Sequence, residues 1–201
     1  MSRIVFATGN MGKMREIKEI MDGFCMDGKP VEILSMKEAG VNPEIVEDGD
    51  TFEANALIKA REVAKLLPED IVMADDSGLE VDALNKEPGI YSARYMGEDT
   101  PYSIKNANLI ERLTGVPDEK RTARFVCAIA AVFPDGKELT AIGTIEGRIG
   151  YEERGEHGFG YDPIFMYPPY EHSTAELPES EKNLISHRGN ALRIMREKME
   201  R

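Results

Sequence analysis

Cysteine is scarce, with only Cys25 and Cys127 in 201 residues. One pair supports neither a disulfide framework nor the ligand spacing of a structural zinc site. Both lie in or near apolar segments, where core thiols sit. Cations are outnumbered: 25 Lys and Arg against 37 Asp and Glu leave a net charge of −12. That balance excludes a general nucleic-acid or anionic-membrane surface. An anionic substrate must therefore meet a local cluster of cations. No apolar run is long enough to span a bilayer, and no leader pattern is read, so a cytoplasmic location is expected. Repeats and low-complexity segments are also missing. Of three histidines, His157 and His172 have no acidic or thiol partner at metal spacing and read as surface residues.

What is present is a globular chain. Hydrophobic residues make up 41% of it, enough for a real core, and charged residues 31%. Its length suits a single domain over residues 1–201, or two small lobes sharing a sheet. Strands and helices alternate. Residues 3–7 form a short apolar strand, then Met14, Ile17, Ile20 and Met21 recur at helical spacing. Residues 31–34 are a second strand. Thr51 to Leu67 reads as a long helix with Asp50 as its cap and Glu53 three residues on. Residues 71–74 are a strand ending in Asp75-Asp76-Ser77-Gly78, read as a turn. Thr100-Pro101 opens a helix to about Leu113. Residues 125–133 and 138–149 are strands joined through Pro134-Asp135-Gly136. Ser173 and Glu176 suit a capping box, and a last helix carries Leu192, Met195 and Met199 on one face. Early β-α order with a later hairpin predicts a mixed sheet.

The paired aspartates carry the most information. An apolar strand that delivers two adjacent carboxylates to a sheet edge places them where open α/β sheets bind ligands. Buried together they repel, and a hard divalent cation is the simplest compensation. Successive strand side chains point to opposite faces, so Asp75 and Asp76 cannot do the same job. Upstream, Thr8-Gly9-Asn10-Met11-Gly12-Lys13 joins the first strand to the first helix. Its glycines let backbone approach a ligand, and a helix N-terminus offers free N–H groups to an anion. Lys13 stands in a first turn, where a cation opposes the helix dipole unless an anion lies there too. Lys59 shares an arc with apolar Phe52, Ala56 and Val63, with Asn55 beside it; it either snorkels to solvent or meets a negative partner. Glu47-Asp48-Gly49-Asp50 could supply one more metal ligand. Phe159, flanked by Gly158 and Gly160, suits stacking on a nucleobase. Lys182 and Ser186-His187-Arg188-Gly189 gather donors before the last helix.

Six segments, in order, carry a resemblance. They are Thr8-Gly9-Asn10 with Lys13; Thr51-Phe52-Glu53-Ala54-Asn55-Ala56 with Lys59; Ala74-Asp75-Asp76-Ser77-Gly78-Leu79; Pro88-Gly89-Ile90-Tyr91-Ser92-Ala93-Arg94; Phe159-Gly160-Tyr161-Asp162-Pro163; and Ser186-His187-Arg188-Gly189. In these the chain resembles the inosine triphosphate pyrophosphatase (Ham1-like) family from end to end. The resemblance implies an elongated mixed α/β sheet flanked by helices, in two lobes with a central cleft, and a homodimer. It implies hydrolysis of ITP, dITP and XTP to the monophosphate and pyrophosphate, with at least one Mg²⁺ per subunit. It implies that Thr8, Gly9, Asn10, Met11, Gly12, Lys13 and Lys59 hold the triphosphate and that Ser77 touches substrate. Glu47 and Asp76 are then the metal ligands, with Asp76 also the general base. Phe159, Gly160, Tyr161 and Asp162 would hold the purine, with Lys182, His187 and Arg188 reading it. Donors there favour the C6 carbonyl of hypoxanthine and xanthine over the adenine amino group.

Two rival classes stand beside this expectation. A nucleotide sensor without turnover would keep the phosphate and base contacts but would have no use for Glu47 and Asp76. A pyrophosphatase acting on modified pyrimidines or ordinary nucleotides is separated only by its substrates.

Overall fold

A computed structural model describes residues 2–200. The elements are β1 (Ser2–Phe6), α1 (Met11–Ile20), β2 (Cys25–Met26), β3 (Lys29–Ser35), α2 (Phe52–Ala64), β4 (Ile71–Val81), α3 (Tyr102–Arg112), β5 (Thr122–Val132), β6 (Glu138–Ile149), β7 (Phe165–Tyr167), β8 (His172–Ser173), α4 (Glu179–Ile185) and α5 (His187–Met199). The strands hydrogen-bond in the order β2-β3-β1-β4-β5-β6-β7-β8. β1 runs parallel to β3 and β4, whereas β2–β3, β6–β7 and β7–β8 are antiparallel pairs. The mixed α/β sheet expected from the sequence is the one that forms. Among the described residues no helix is long and apolar enough to cross a membrane.

The chain divides into two compact units. Unit 1 holds the chain up to Asp76, Cys127–Gly143 and the chain from Arg188; unit 2 holds Ser77–Val126 and Thr144–His187. The core of unit 1 follows the strand and helix periods. Ile4 and Phe6 of β1, Ile71 and Met73 of β4, and Cys127, Ile129 and Ala131 of β5 each point one way at alternate positions. Met14, Ile17 and Met21 join them from the region of α1, and Ala191, Leu192 and Met195 from α5. Cys127 is the core thiol expected, its pKa pushed up to about 12 chiefly by burial. Cys25 differs: it is exposed on two-residue β2 and donates to the Gly23 carbonyl at 3.6 Å.

Unit 2 has its own core of Leu79, Val81, Leu109, Leu113, Ala123, Phe125, Ile149, Tyr161, Ile164 and Phe165. One buried cation ties it together. Arg121, 2% exposed, donates from Nε to Ile149 O at 2.9 Å, from Nη1 to Leu113 O at 2.9 Å and from Nη2 to Gly150 O at 2.7 Å. Arg121→Met keeps the stem but leaves these carbonyls without their donor. A cost of about 3 kcal/mol is expected, seen as a fall in melting temperature of roughly 6–12 °C. A melting curve unchanged from the wild type would show that the three bonds are dispensable.

Two local readings change. β4 does not stop at Ala74; it continues through Asp75, Asp76, Ser77 and Gly78 to Val81. The strand survives because cations meet the carboxylates on it. The cap of α2 is Thr51, whose hydroxyl accepts from Ala54 N at 3.1 Å, and not Asp50. The Ser173/Glu176 capping box is present, on a single 3-10 turn over Thr174–Glu176.

Candidate active site

In unit 1 the β1–α1 turn ends on Asn10, whose side chain accepts from Lys13 N at 3.0 Å while its own N–H donates to Thr8 Oγ1 at 3.2 Å. The first turn of α1 holds no acidic side chain. Lys13 instead reaches a carboxylate on another element: its Nζ lies 2.9 Å from Asp75 Oδ2. Met11 is exposed, and Thr8 and Gly12 are half-buried.

Strand alternation divides the aspartates as the sequence predicts. Asp75, with its side chain fully buried, faces Lys13 and Arg188, the guanidinium Nη2 at 3.2 Å. Asp76 faces Lys59, with Nζ 3.5 Å from Oδ1. Lys59 also lies 2.9 Å from Glu47 Oε2, so one ammonium on α2 gathers both carboxylates expected to hold metal. The lysine does not snorkel; its side chain is 12% exposed. The loop carrying Glu47 is pinned by Asn55, whose Oδ1 accepts from Gly49 N at 2.9 Å.

Burial would raise the Asp75 pKa, but Lys13, Arg188 and Lys59 overwhelm it and hold the carboxyl far below the usual range. Asp76 goes the other way. Burial raises it, Lys59 and Lys13 offset only part, and Glu47 and Asp75 add to the rise. Burial opposes the charge on Lys59, yet Asp76, Asp75 and Glu47 together raise its pKa. Two neighbouring carboxylates are thus driven apart, one locked as an anion and one readier to take a proton.

Glu16 is a member of this cluster that sequence reasoning missed. It is 1% exposed on α1 and pairs with Arg188 Nη1. Its place one helical turn after Lys13 was the available signal. The Arg188 guanidinium is 1% exposed and engages Glu16 and Asp75. Among the described residues, these ion pairs join four carboxylates (Glu16, Glu47, Asp75, Asp76) to three cations (Lys13, Lys59, Arg188), one negative charge in excess.

Among the described residues no three or more His, Cys, Asp or Glu side chains form a metal nest. Magnesium does not need one, since it typically takes one or two carboxylates and completes its shell with waters and phosphate oxygens. Glu47 and Asp76 meet that count. Asp76 Oδ2 is buried and has no hydrogen-bond partner among the described residues. An orphaned buried carboxylate oxygen beside a charge excess fits a hard divalent ion.

Gly9 is exposed in the same turn of unit 1; apart from it and Arg188, the remaining expected residues belong to unit 2. Phe159 is half-buried, and its N–H donates to Asp162 Oδ2 at 2.9 Å. Lys182, 3% exposed, meets the same oxygen at 2.6 Å, and its Nζ lies 5.0 Å from the Phe159 ring centroid. Gly160 accepts from Asn106 Nδ2 at 3.3 Å. Tyr161 is buried, donating its hydroxyl to Ser92 O at 2.7 Å. His187 stacks on Phe125 with centroids 4.8 Å apart. Ser77 is half-buried on β4. His157 and His172 are exposed as read, although His172 Nδ1 lies 3.7 Å from Glu176.

A family model described as the Ham1 family matches residues 4–198. The chain is 46% identical to a dITP/XTP pyrophosphatase of Exiguobacterium sibiricum, over 95% of this chain and 93% of that one. It is 46% identical to a protein of the same name from Clostridium perfringens, over 99% and 98%. Among solved structures, the Staphylococcus aureus Ham1 protein superposes with a TM-score of 0.85 at 39% identity, covering 99% of this chain and 98% of that one. A HAM1 protein from Coxiella burnetii gives 0.86 at 39% identity with the same coverage.

Proposed function

Because the chain belongs to the Ham1 family, we propose that it is a nucleoside triphosphate pyrophosphatase that hydrolyses the deaminated purine nucleotides ITP, dITP and XTP to the monophosphate and pyrophosphate. The observation that carries the reading to residues is Asp76, a buried carboxylate whose pKa burial raises and one of whose oxygens has no partner among the described residues, set beside Glu47 and Lys59.

The residues divide the work. Backbone N–H groups at the start of α1, with Lys13 and Lys59, take the triphosphate and the charge that moves onto the leaving pyrophosphate. Asp76 orients the attacking water and accepts its proton. Glu47 and Asp76 would hold Mg²⁺, which would supply charge neutralisation at the phosphates. Phe159 stacks on the purine, and Lys182 and His187 donate toward it. Arg188, tied to Glu16 and Asp75, keeps Asp75 anionic and so sets the place of Lys13. The enzyme works as a homodimer in the cytoplasm on free nucleotides, with no nucleic acid or membrane as partner.

A pyrophosphate-release assay with Mg²⁺ across ITP, XTP, GTP, ATP and dUTP tests the reading. Turnover of ITP and XTP well above the other three is expected. Equal turnover of all five, or none of ITP, would overturn it. Lys59→Met should lower kcat/KM for ITP by about 10²–10³, the usual cost of losing one electrostatic contact to a developing charge. A loss under about threefold would remove Lys59 from the phosphate site.

A further inference from the structure

The base-binding loop has an anchor outside the motifs that carry the family resemblance. Thr174 is 2% exposed. Its hydroxyl donates to Asp162 Oδ1 at 2.9 Å and lies 3.2 Å from the Asp162 carbonyl oxygen. The other carboxylate oxygen, Oδ2, is the one that accepts from Phe159 N and from Lys182. A carboxylate is planar, so fixing Oδ1 fixes where Oδ2 points. Thr174 thereby sets the place of the Phe159 backbone and of the ammonium above its ring.

Thr174 is itself held. It opens the 3-10 turn Thr174–Glu176, which the Ser173/Glu176 capping box closes. Ser173 Oγ donates to Arg154 O at 2.6 Å, Arg154 pairs with Glu176 at 3.0 Å, and His157 N donates to Ala175 O at 2.9 Å. The chain entering the loop is pressed onto this turn. A Cβ on Gly155 would stand 2.3 Å from Ala175 backbone, and one on Gly158 would stand 2.3 Å from Asp162 Oδ2. Both glycines have positive φ, +87° and +73°, so the tight path has no room for a side chain and a backbone that few residues but glycine adopt.

We propose that Thr174 is a positioning residue for purine recognition, acting through Asp162 on Phe159 and Lys182. It touches no substrate. The inference rests on the pyrophosphatase reading, because it assumes that these two side chains hold the base. Thr174→Val keeps the shape and removes the hydroxyl, leaving Asp162 Oδ1 buried without its donor. The carboxylate can then turn, and both groups on Oδ2 lose their fixed position.

Calorimetry with the two products separates the roles, since IMP carries the base and pyrophosphate does not. Thr174→Val should bind IMP about tenfold more weakly and pyrophosphate unchanged, in line with the loss of one buried hydrogen bond. KM for ITP should rise by about the same factor while kcat stays within about twofold. Thr174→Ser, which restores the hydroxyl, should recover wild-type IMP binding. Should the valine variant not fold, Thr174→Ala carries the same comparison. Wild-type IMP binding by the variant overturns the proposal, as does equal weakening of IMP and pyrophosphate, or a serine variant as defective as valine. Absence of IMP binding by the wild type overturns the parent reading and this one with it.

Discussion

Asp76→Asn should reduce pyrophosphate release from ITP by about 10³-fold or more while its melting temperature holds or rises. The loss follows from charge. An amide at this place cannot accept the proton of the attacking water, a step commonly contributing 10²–10⁴-fold, and it is a poorer ligand for a hard cation. The stability follows from the direction in which the fold moves the acid. Burial raises the Asp76 pKa despite Lys59 and Lys13. A carboxyl raised on folding adds stability below its unfolded pKa and loses it as pH rises through the folded value. At neutral pH the ionised group therefore works against folding, and asparagine relieves that while keeping an oxygen for Lys59. A conservative variant that is inactive and at least as stable is the signature of a group placed for chemistry at the expense of stability. Near-normal release by Asp76→Asn would remove it from the reaction. A drop of several degrees in melting temperature would show that its charge stabilises the fold.

Lys59 and the aspartate pair were legible in the sequence because short-range periodicity exposes them. A lysine on an arc shared with Phe52, Ala56 and Val63 breaks the helical pattern, and two adjacent carboxylates after an apolar run break the strand pattern. Alternation was enough to give Asp75 and Asp76 different partners. What was not legible depends on chain-distant neighbours. Asp75 to Gly78 read as a turn, since Asp, Ser and Gly favour turns. The strand runs on because Lys13 and Arg188 neutralise Asp75 and Lys59 meets Asp76. The pairing of Glu16 with Arg188 spans 172 positions, and no local rule reports it. Arg188 stands among donors in sequence, and the family resemblance implies that it reads the base. In space its guanidinium lies on carboxylates of α1 and β4. Thr174 was hidden for the same cause, since a buried hydroxyl has no sequence pattern and only its distance to Asp162 gives it a role. The cap of α2 fell one residue from the reading because Asp50 and Thr51 are both good caps and only backbone geometry separates them.

Arg188→Met should be among the most damaging single substitutions in the protein, for a reason that lies in the fold before it lies in the reaction. The guanidinium, 1% exposed, bridges Glu16 and Asp75, whose side chains are 1% and 0% exposed. Removing one partner of a buried ion pair costs about 3–5 kcal/mol, because the other charge stays behind uncompensated. At roughly 2–4 °C per kcal/mol for a chain of this size, the melting temperature should fall by about 6–20 °C. The variant carries its own controls. Asp75 is held well below the ordinary carboxylate range: burial alone would raise it, and Lys13, Arg188 and Lys59 reverse that. A carboxyl lowered on folding contributes stability above its unfolded pKa and loses it as pH falls toward the folded value. Methionine removes one of the cations responsible, so the deficit against the wild type should be largest near neutral pH and shrink below about pH 4, where protons replace the missing charge. Adding Glu16→Gln should recover part of the lost stability, since the amide needs no counter-charge; the two changes should then be strongly non-additive. If Arg188→Met melts within 2 °C of the wild type at pH 7, or if the double variant is simply the sum of its singles, Arg188 does not hold the carboxylates together and a direct role at the purine becomes the better account of it.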